Sequence, residues 1–266
     1  MNANELLKAG RLAEAIAAQT EAVRTRPADR EGRIFLFELL AFAGDLERAR
    51  RQIDAVRYDE AERDATVHTY RNLVRAEEAR RALFTAGQTP QFLLPPPEHV
   101  RLRLEAVNRL RENRPAEAAE LLFRASESVP PLHGTLNGRP FDLLRDADDL
   151  FGPVLEVLVH GEYYWVPLDQ VETLTADAPQ YLRDLLWFPA RLALRNGPAG
   201  NVHLPALYPG SHEHPDDQIK LGHATDWKQN GSGPVLGVGR RTFLVGEDGV
   251  SLLEWRALEI TESPAP

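Results

Sequence analysis

The apolar residues of this chain follow two different spacings, one in each half. Through the first half they recur every three or four positions, which is the spacing of amphipathic helices. From Gly134 onward they alternate with polar residues, and turn residues come at short intervals. The pattern predicts an α+β protein, with helical-hairpin repeats at residues 1–130 and a mixed, mainly antiparallel β domain at residues 131–266.

A seven-residue motif occurs twice in the helical half. Residues 9–15 read Ala-Gly-Arg-Leu-Ala-Glu-Ala, and 34 positions later residues 43–49 read Ala-Gly-Asp-Leu-Glu-Arg-Ala. Gly10 and Gly44 lie where one helix has to end and the chain reverse, because glycine adopts left-handed backbone angles without a Cβ clash. A period of this length is typical of tetratricopeptide-type helix-turn-helix repeats.

A third copy follows at an offset of 103 residues from the first. Ala118, Ala125 and Pro130 repeat the earlier Ala-Ala-Pro spacing, and Asn113 takes the place of the glycine. Between the copies the pattern predicts one long helix over 59–86 and another over 98–113, separated by three prolines. The front half should therefore contain six or seven helices.

The second half should contain three β-hairpins. The first pairs 154–160 with 163–168 through Gly161-Glu162, and the second pairs 190–195 with 202–207. The third pairs 235–245 with 250–260, turning at Asp248-Gly249. A short helix is predicted at 179–187, and residues 261–266 should form a frayed tail.

Composition excludes several classes of function. The chain has no cysteine, which rules out disulfides, thiolate zinc sites and cysteine nucleophiles. Residues 1–130 balance 21 basic against 21 acidic side chains, whereas the remainder holds 10 against 19, so nucleic acid is not an expected partner. No apolar run has the length of a membrane span, and the start lacks the features of a signal peptide, so we expect a cytoplasmic protein.

Two clusters could carry chemistry, and each has a simpler interpretation. Asp142, Asp146, Asp148 and Asp149 could bind a hard cation, but their spacing matches no calcium loop, and helix capping with a solvated acidic face explains them as well. The other cluster consists of His212, His214, His223, Asp216 and Asp217. These side chains could hold zinc or iron. The segment is flanked by prolines and has no helical pair of histidines, however, so a structural loop explains it as well.

Nucleophilic and phosphate-binding motifs are missing from the sequence. Ser211, Ser232 and Ser251 do not lie in a Gly-x-Ser-x-Gly turn. The glycines at 231–239 lack the lysine and the following helix of a phosphate-binding loop. The sequence therefore predicts neither a hydrolase nor a nucleotide-binding protein.

The second half contains an ordered series of short motifs. The series begins with Phe-Asp at 141–142, continues through the aspartates, and reaches Gly-Pro-Val-Leu-Glu-Val at 152–157. Gly-Glu-Tyr-Tyr-Trp-Val-Pro follows at 161–167 and Arg-Asp-Leu-Leu-Trp at 183–187. The remaining motifs lie at 204–209, 225–227 and 237–241. Taken in this order, the motifs resemble the ImpE domain of type VI secretion accessory proteins, which are also called TagJ or SciE-type.

This resemblance extends over nearly the whole chain, including the helical repeats, and it implies a function. The resemblance implies a cytoplasmic adaptor, so the chain is expected to bind the small contractile-sheath subunit TssB. Through TssB it should influence recycling of the sheath by the ATPase ClpV. The resemblance implies no catalytic residue, cofactor or metal.

The sequence also suggests where a protein partner could bind. Stacked helical hairpins form a concave groove that accepts a helix or an extended segment, and the repeat positions direct Ile34, Glu38 and Phe42 into it. Phe42 could instead pack on the next helix. Tyr163 and Trp165 are aromatic anchors if exposed. The rival hypothesis is a ligand- or metal-binding enzyme domain recruited by the repeats.

Overall fold

The computed structural model describes residues 1–261. The tail predicted at the C-terminus lies outside this part of the chain, except for Thr261, which ends the last strand. No helix within residues 1–261 combines the length and hydropathy that a membrane span requires.

The first half consists of seven helices, as the sequence predicts. Gly10 and Gly44 both adopt the left-handed conformation between helices, with φ of 70° and 79°. Asn113 does so in the third copy, with φ of 57°, and Gly87 ends the long helix. The helices are α1 Ala3–Lys8, α2 Leu12–Thr25, α3 Arg30–Phe42, α4 Leu46–Asp54, α5 Ala61–Ala86, α6 Glu98–Arg111 and α7 Pro115–Glu127.

The helices stack in sequence order until α5, where the array is interrupted. Helices α1 to α4 pack each on the next, and α6 and α7 form a separate hairpin. The long helix α5 lies between these groups and packs on the strands of the second half. The chain before the three prolines also extends this sheet, because Gln91 exchanges backbone hydrogen bonds with Tyr163 and Trp165.

The second half is antiparallel, as predicted, and is built on one large sheet. The strands are β1 His133–Leu136, β2 Arg139–Phe141, β3 Leu144–Asp146, β4 Val154–Val159, β5 Glu162–Pro167, β6 Val171–Thr175, β7 Trp187–Leu194, β8 Ala199–Pro205, β9 Thr225–Gln229, β10 Val235–Gly239, β11 Thr242–Val245, β12 Asp248–Ser251 and β13 Ala257–Thr261. The large sheet has eight strands in the order β2-β1-β13-β6-β7-β8-β4-β5, while β12-β11-β3 and β10-β9 form two smaller sheets. A short helix, α8, spans Asp217–Lys220.

The predicted third hairpin is wrong. Gly239, with φ of 93°, interrupts the first predicted strand, so β10 pairs with β9 and β11 pairs with β12 through a turn at Gly246-Glu247. A 3₁₀ turn at Leu252–Glu254 interrupts the second, which lets β13 enter the large sheet between β1 and β6. Local alternation of apolar residues does not specify which strand is the partner.

Two smaller predictions also need correction. The turn of the first hairpin is His160-Gly161, one residue earlier than predicted, because both residues have positive φ and form the tight turn that suits twisted strands. The helix expected over 179–187 is a 3₁₀ turn at Leu182–Leu185, and Trp187 already begins β7. The second hairpin, β7 with β8, is confirmed.

The two halves share a hydrophobic core. Phe37 of α3 stacks on Trp187 of β7, with ring centroids 6.0 Å apart. Phe151 packs edge to face against Phe84 of α5 and against Trp165 of β5. One continuous cluster of buried side chains therefore runs from the helices into the sheet.

Candidate functional site

The side chains predicted to line the repeat groove are covered by the second half of the same chain. Glu38 is 6% exposed, and its Oε1 accepts a hydrogen bond of 2.8 Å from Nη1 of Arg183. Phe42 is 1% exposed and packs in a cluster that includes Leu207 and Leu221. Ile34 is half-buried against the shared core.

This arrangement differs from the open groove that the repeats predict. Loops of the β domain fill the groove that was predicted to bind a peptide. Phe42 therefore packs on these loops as well as on neighbouring helices. Burial raises the pKa of Glu38, and Arg183 offsets part of that rise. A role for Ile34, Glu38 and Phe42 in partner binding remains a prediction, and it requires the two halves to separate.

Tyr163 and Trp165 are also internal. They lie on the same face of β5 and are 2% and 0% exposed. The hydroxyl of Tyr163 donates to Glu156, and Nε1 of Trp165 donates to that hydroxyl at 2.5 Å. The two side chains thus lie in the core, and a role for Tyr163 and Trp165 in partner binding remains a prediction.

The polar centre of the molecule is a network of charges between α5 and the sheet. Nε and Nη2 of Arg80 donate to the two carboxylate oxygens of Glu156, at 2.7 and 2.8 Å. Arg241 donates to the same carboxylate, and Glu77 lies 3.3 Å from Arg80. Burial alone would raise the pKa of Glu156, but Arg80 and Arg241 outweigh it, so the net shift is downward. The network joins the helices to the sheet.

The aspartate cluster belongs partly to this network. Asp146 and Asp148 are 0% and 2% exposed, so the solvated acidic face predicted for them is wrong. Tyr208 donates its hydroxyl to Asp146 at 2.7 Å. Asp148 accepts backbone N–H groups of Leu150 and Gly237, at 2.8 and 2.7 Å, so these carboxylates order a loop and do not begin a helix.

The other two aspartates lie nearer to solvent. Asp142 is exposed. Asp149 pairs with Arg145 at 2.8 Å and accepts the N–H of Val235 at 2.9 Å.

Buried Asp146 and Asp148 predict a pH dependence of stability with a defined sign. Burial raises their pKa values to about 6 and about 7, with Arg241 opposing the shift of Asp146 and Asp146 adding to that of Asp148. An unfolded aspartate has a pKa of about 4. Between about pH 4 and 7 the folded chain therefore binds more protons than the unfolded chain at these groups. Their contribution to the free energy of unfolding falls as pH rises through this window, and the loss is complete above it.

The measurement has to separate the contribution of these aspartates from that of His203. Burial lowers the pKa of His203 to about 4, so its contribution to the slope has the opposite sign. Between about pH 5 and 7, we expect the slope of the free energy of unfolding against pH to be more positive for Asp148→Asn than for the wild type. Urea denaturation across this range measures both slopes. Equal slopes for the two proteins would contradict the assignment.

The histidine-rich segment fastens the β domain to the repeats. His212 packs so closely on Gly44 that a Cβ there would lie 2.1 Å from Cδ2 of the ring. Asp217 accepts the N–H of Leu12 at 2.9 Å, at the start of α2.

The other members of this segment have separate partners. His214 lies 3.6 Å from Asp226, His223 contacts Gln218, and Asp216 caps α8. Within residues 1–261 no three His, Asp or Glu side chains are grouped so as to hold a metal ion.

An apolar groove lies between α5, α6 and parts of the β domain. We call it the α5–α6 groove; its volume is about 430 Å³. Half-buried Phe84, Leu110 and Leu236 line it, and Arg81 and Arg111 lie among its polar residues. No motif in the sequence predicts this groove, because its walls come from segments far apart in the chain.

Comparison with known proteins agrees with this architecture. The sequence profile described as tetratricopeptide repeat matches residues 6–73, and that of the ImpE protein family matches residues 138–259. The chain is similar to the type VI secretion system accessory component TagJ of Pseudomonas aeruginosa, with 39% identity over 265 residues, covering 100% of this chain and 93% of that protein. Its fold is also that of protein VPA1032 from Vibrio parahaemolyticus, whose crystal structure superposes with a TM-score of 0.88 at 26% identity, covering 98% of each chain.

The fold thus defines a class of protein in which tetratricopeptide-type hairpins pack against an antiparallel β domain. Within that class the chain belongs to the ImpE family. The resemblance found in the sequence motifs is confirmed.

Proposed function

We propose that this chain is a non-catalytic accessory protein of a type VI secretion system that works in the cytoplasm. It binds the small sheath subunit TssB and through it influences recycling of the sheath by the ATPase ClpV. The observation that carries this proposal is the similarity to an accessory component over the full length of the chain. A helical-repeat scaffold is also a common framework for binding other proteins.

The α5–α6 groove is the surface that we assign to the partner. The concave face of the repeats is occupied by the chain's own β domain, so a partner that binds without opening the molecule needs another apolar concavity. Phe84, Leu110 and Leu236 offer one, and a helix can place one apolar face in a groove of this kind. Arg81 and Arg111 line the groove together with Asp148 and Glu213, so its apolar side chains and not its net charge would select the partner segment.

A charge placed in the groove should prevent this binding. We expect Leu110→Glu to weaken the affinity for purified TssB by about tenfold or more, since it buries a carboxylate against apolar surface. The matched control is Phe123→Glu on α7, because Phe123 is 66% exposed and does not line the groove. Isothermal titration of each variant gives the affinity.

The outcomes separate the location from the function. Unchanged binding by Leu110→Glu would exclude the groove while leaving the adaptor role intact. If wild-type protein neither binds TssB nor recovers sheath subunits from native cells, the adaptor role itself is wrong. The alternative location on α3 requires Phe42→Ala to weaken TssB binding without a loss of stability, which its burial makes unfavourable.

A further inference from the structure

Three arginines within residues 1–261 are almost completely buried, and one of them differs from the other two. Arg80 and Arg241 are 4% and 1% exposed, and both pair with Glu156. Arg103 of α6 is 2% exposed, but no carboxylate in residues 1–261 forms an ion pair with it. Buried charges are normally paired, so this exception points to a missing partner.

Backbone carbonyls accept hydrogen bonds from only some of the N–H donors of the Arg103 guanidinium. Its Nη1 donates to the carbonyl oxygens of Asp149 and Leu150, at 2.7 and 2.9 Å. Its Nε is buried and has no acceptor. Gly152 lies against the flat side of the group, where a Cβ would come within 2.8 Å of Nη2. The guanidinium is thus held in a fixed orientation with donors to spare.

The electrostatic surroundings of the three arginines support this difference. Burial lowers the pKa of all three side chains, but carboxylates more than offset it for Arg80 and Arg241, whose pKa values are raised overall. For Arg103, burial and repulsion from Arg145 outweigh the attraction of Asp146, Asp148 and Asp149, and the pKa falls to about 10. The charge of Arg103 is therefore compensated only in part, and an anion that reached it would add to this compensation.

A cavity of about 280 Å³ leads to this guanidinium. Arg145 lies in its wall, and most of the remaining lining is apolar, with Leu132, Leu144 and Pro153 among it. Asp142 also lines the cavity and is exposed, which places its negative charge toward the mouth. The volume is slightly below the usual range for small-molecule sites, which suits a ligand of only a few heavy atoms.

We propose that this cavity binds a carboxylate carried on a short apolar group, with the carboxylate between Arg103 and Arg145. A planar guanidinium with free donors matches the geometry of a carboxylate, and the leucine and proline side chains accept the apolar part. Asp142 at the mouth disfavours a second carboxylate, so the site selects monocarboxylates over dicarboxylates. Either a free organic acid or an acidic side chain of a protein could supply this group.

The test is titration of the full chain with isobutyrate, followed by NMR of the Arg103 and Leu144 signals. Isobutyramide has nearly the same shape without the charge, and succinate adds a second carboxylate. We expect isobutyrate to bind, and the other two ligands and the Arg103→Met variant to bind about 10- to 100-fold more weakly. A capped peptide with one glutamate between valines shows whether an acidic side chain can replace the free acid.

A second variant keeps the test decisive if Arg103→Met does not fold. Leu143 is 44% exposed at the edge of the cavity, so Leu143→Asp should fold normally and weaken isobutyrate binding about threefold by repulsion. The proposal would be overturned if isobutyrate and isobutyramide bound with equal affinity. It would also be overturned if neither isobutyrate nor the glutamate peptide bound. The titration contains no secretion component, so its failure leaves the adaptor role untouched.

Discussion

Glu156→Ala is expected to lower the free energy of unfolding by about 3–5 kcal/mol. The substitution leaves Arg80 and Arg241 buried without their shared carboxylate, and it removes the acceptor of the Tyr163 hydroxyl. Removing one partner of a buried ion pair costs more than the pair contributes, because the remaining charge is neither hydrated nor compensated. Urea denaturation, followed by both circular dichroism and tryptophan fluorescence, measures the loss.

The control for this experiment is an ion pair that joins the same helix to the same hairpin. Arg75 of α5 pairs with Glu162 of β5, and their side chains are 60% and 45% exposed. Glu162→Ala should therefore cost less than about 1 kcal/mol. Similar losses for the two variants would mean that burial does not determine the strength of these contacts, and the structural role given to Glu156 would be wrong.

Residues 1–130 expressed alone are expected not to fold into a stable domain. In the full chain Phe37 and Phe42 are covered by the β domain, as is much of the apolar face of α5. Without the β domain these apolar side chains are exposed to water, and a stabilisation of about 25 cal/mol for each Å² of apolar surface is lost. The fragment should show low helicity or aggregate, and the full chain should unfold in a single transition.

Circular dichroism of the fragment and of the full chain gives the answer. As a companion variant, Trp187→Ala in the full chain removes a side chain that contacts Phe37 from the sheet side, and it should cost about 3–5 kcal/mol. Helical and tryptophan signals of that variant should still change at the same urea concentration. A fragment that melts cooperatively near the temperature of the full chain would show instead that residues 1–130 and 131–266 are independent folding units.

Local sequence signals identified the elements with few errors. The 34-residue repeat located Gly10 and Gly44, and the third copy located Asn113, because a left-handed residue at a helix end is a local requirement. The first two hairpins were also found, since their turns require particular residues. The third failed because Asp248-Gly249 looks like a turn but lies in β12.

The candidate site could not be predicted in the same way. Glu156, Arg80 and Arg241 are separated by 76 and 85 residues, and nothing near each in the sequence identifies the others as partners. The aspartates illustrate the same difficulty, since Asp146 and Asp148 are buried while Asp142, in the same short segment, is exposed. Charge patterning alone predicts a single solvated face for all of them.

The sequence by itself determined the helical repeats, the antiparallel character of the second half and the family, because periodicity, turn residues and ordered motifs are properties of neighbouring positions. Tertiary structure alone decided that the β domain fills the groove of its own repeats, so that Glu38 and Phe42 are internal. It also decided which buried arginines have partners. These outcomes depend on packing between distant segments, where burial sets the cost of each unpaired charge.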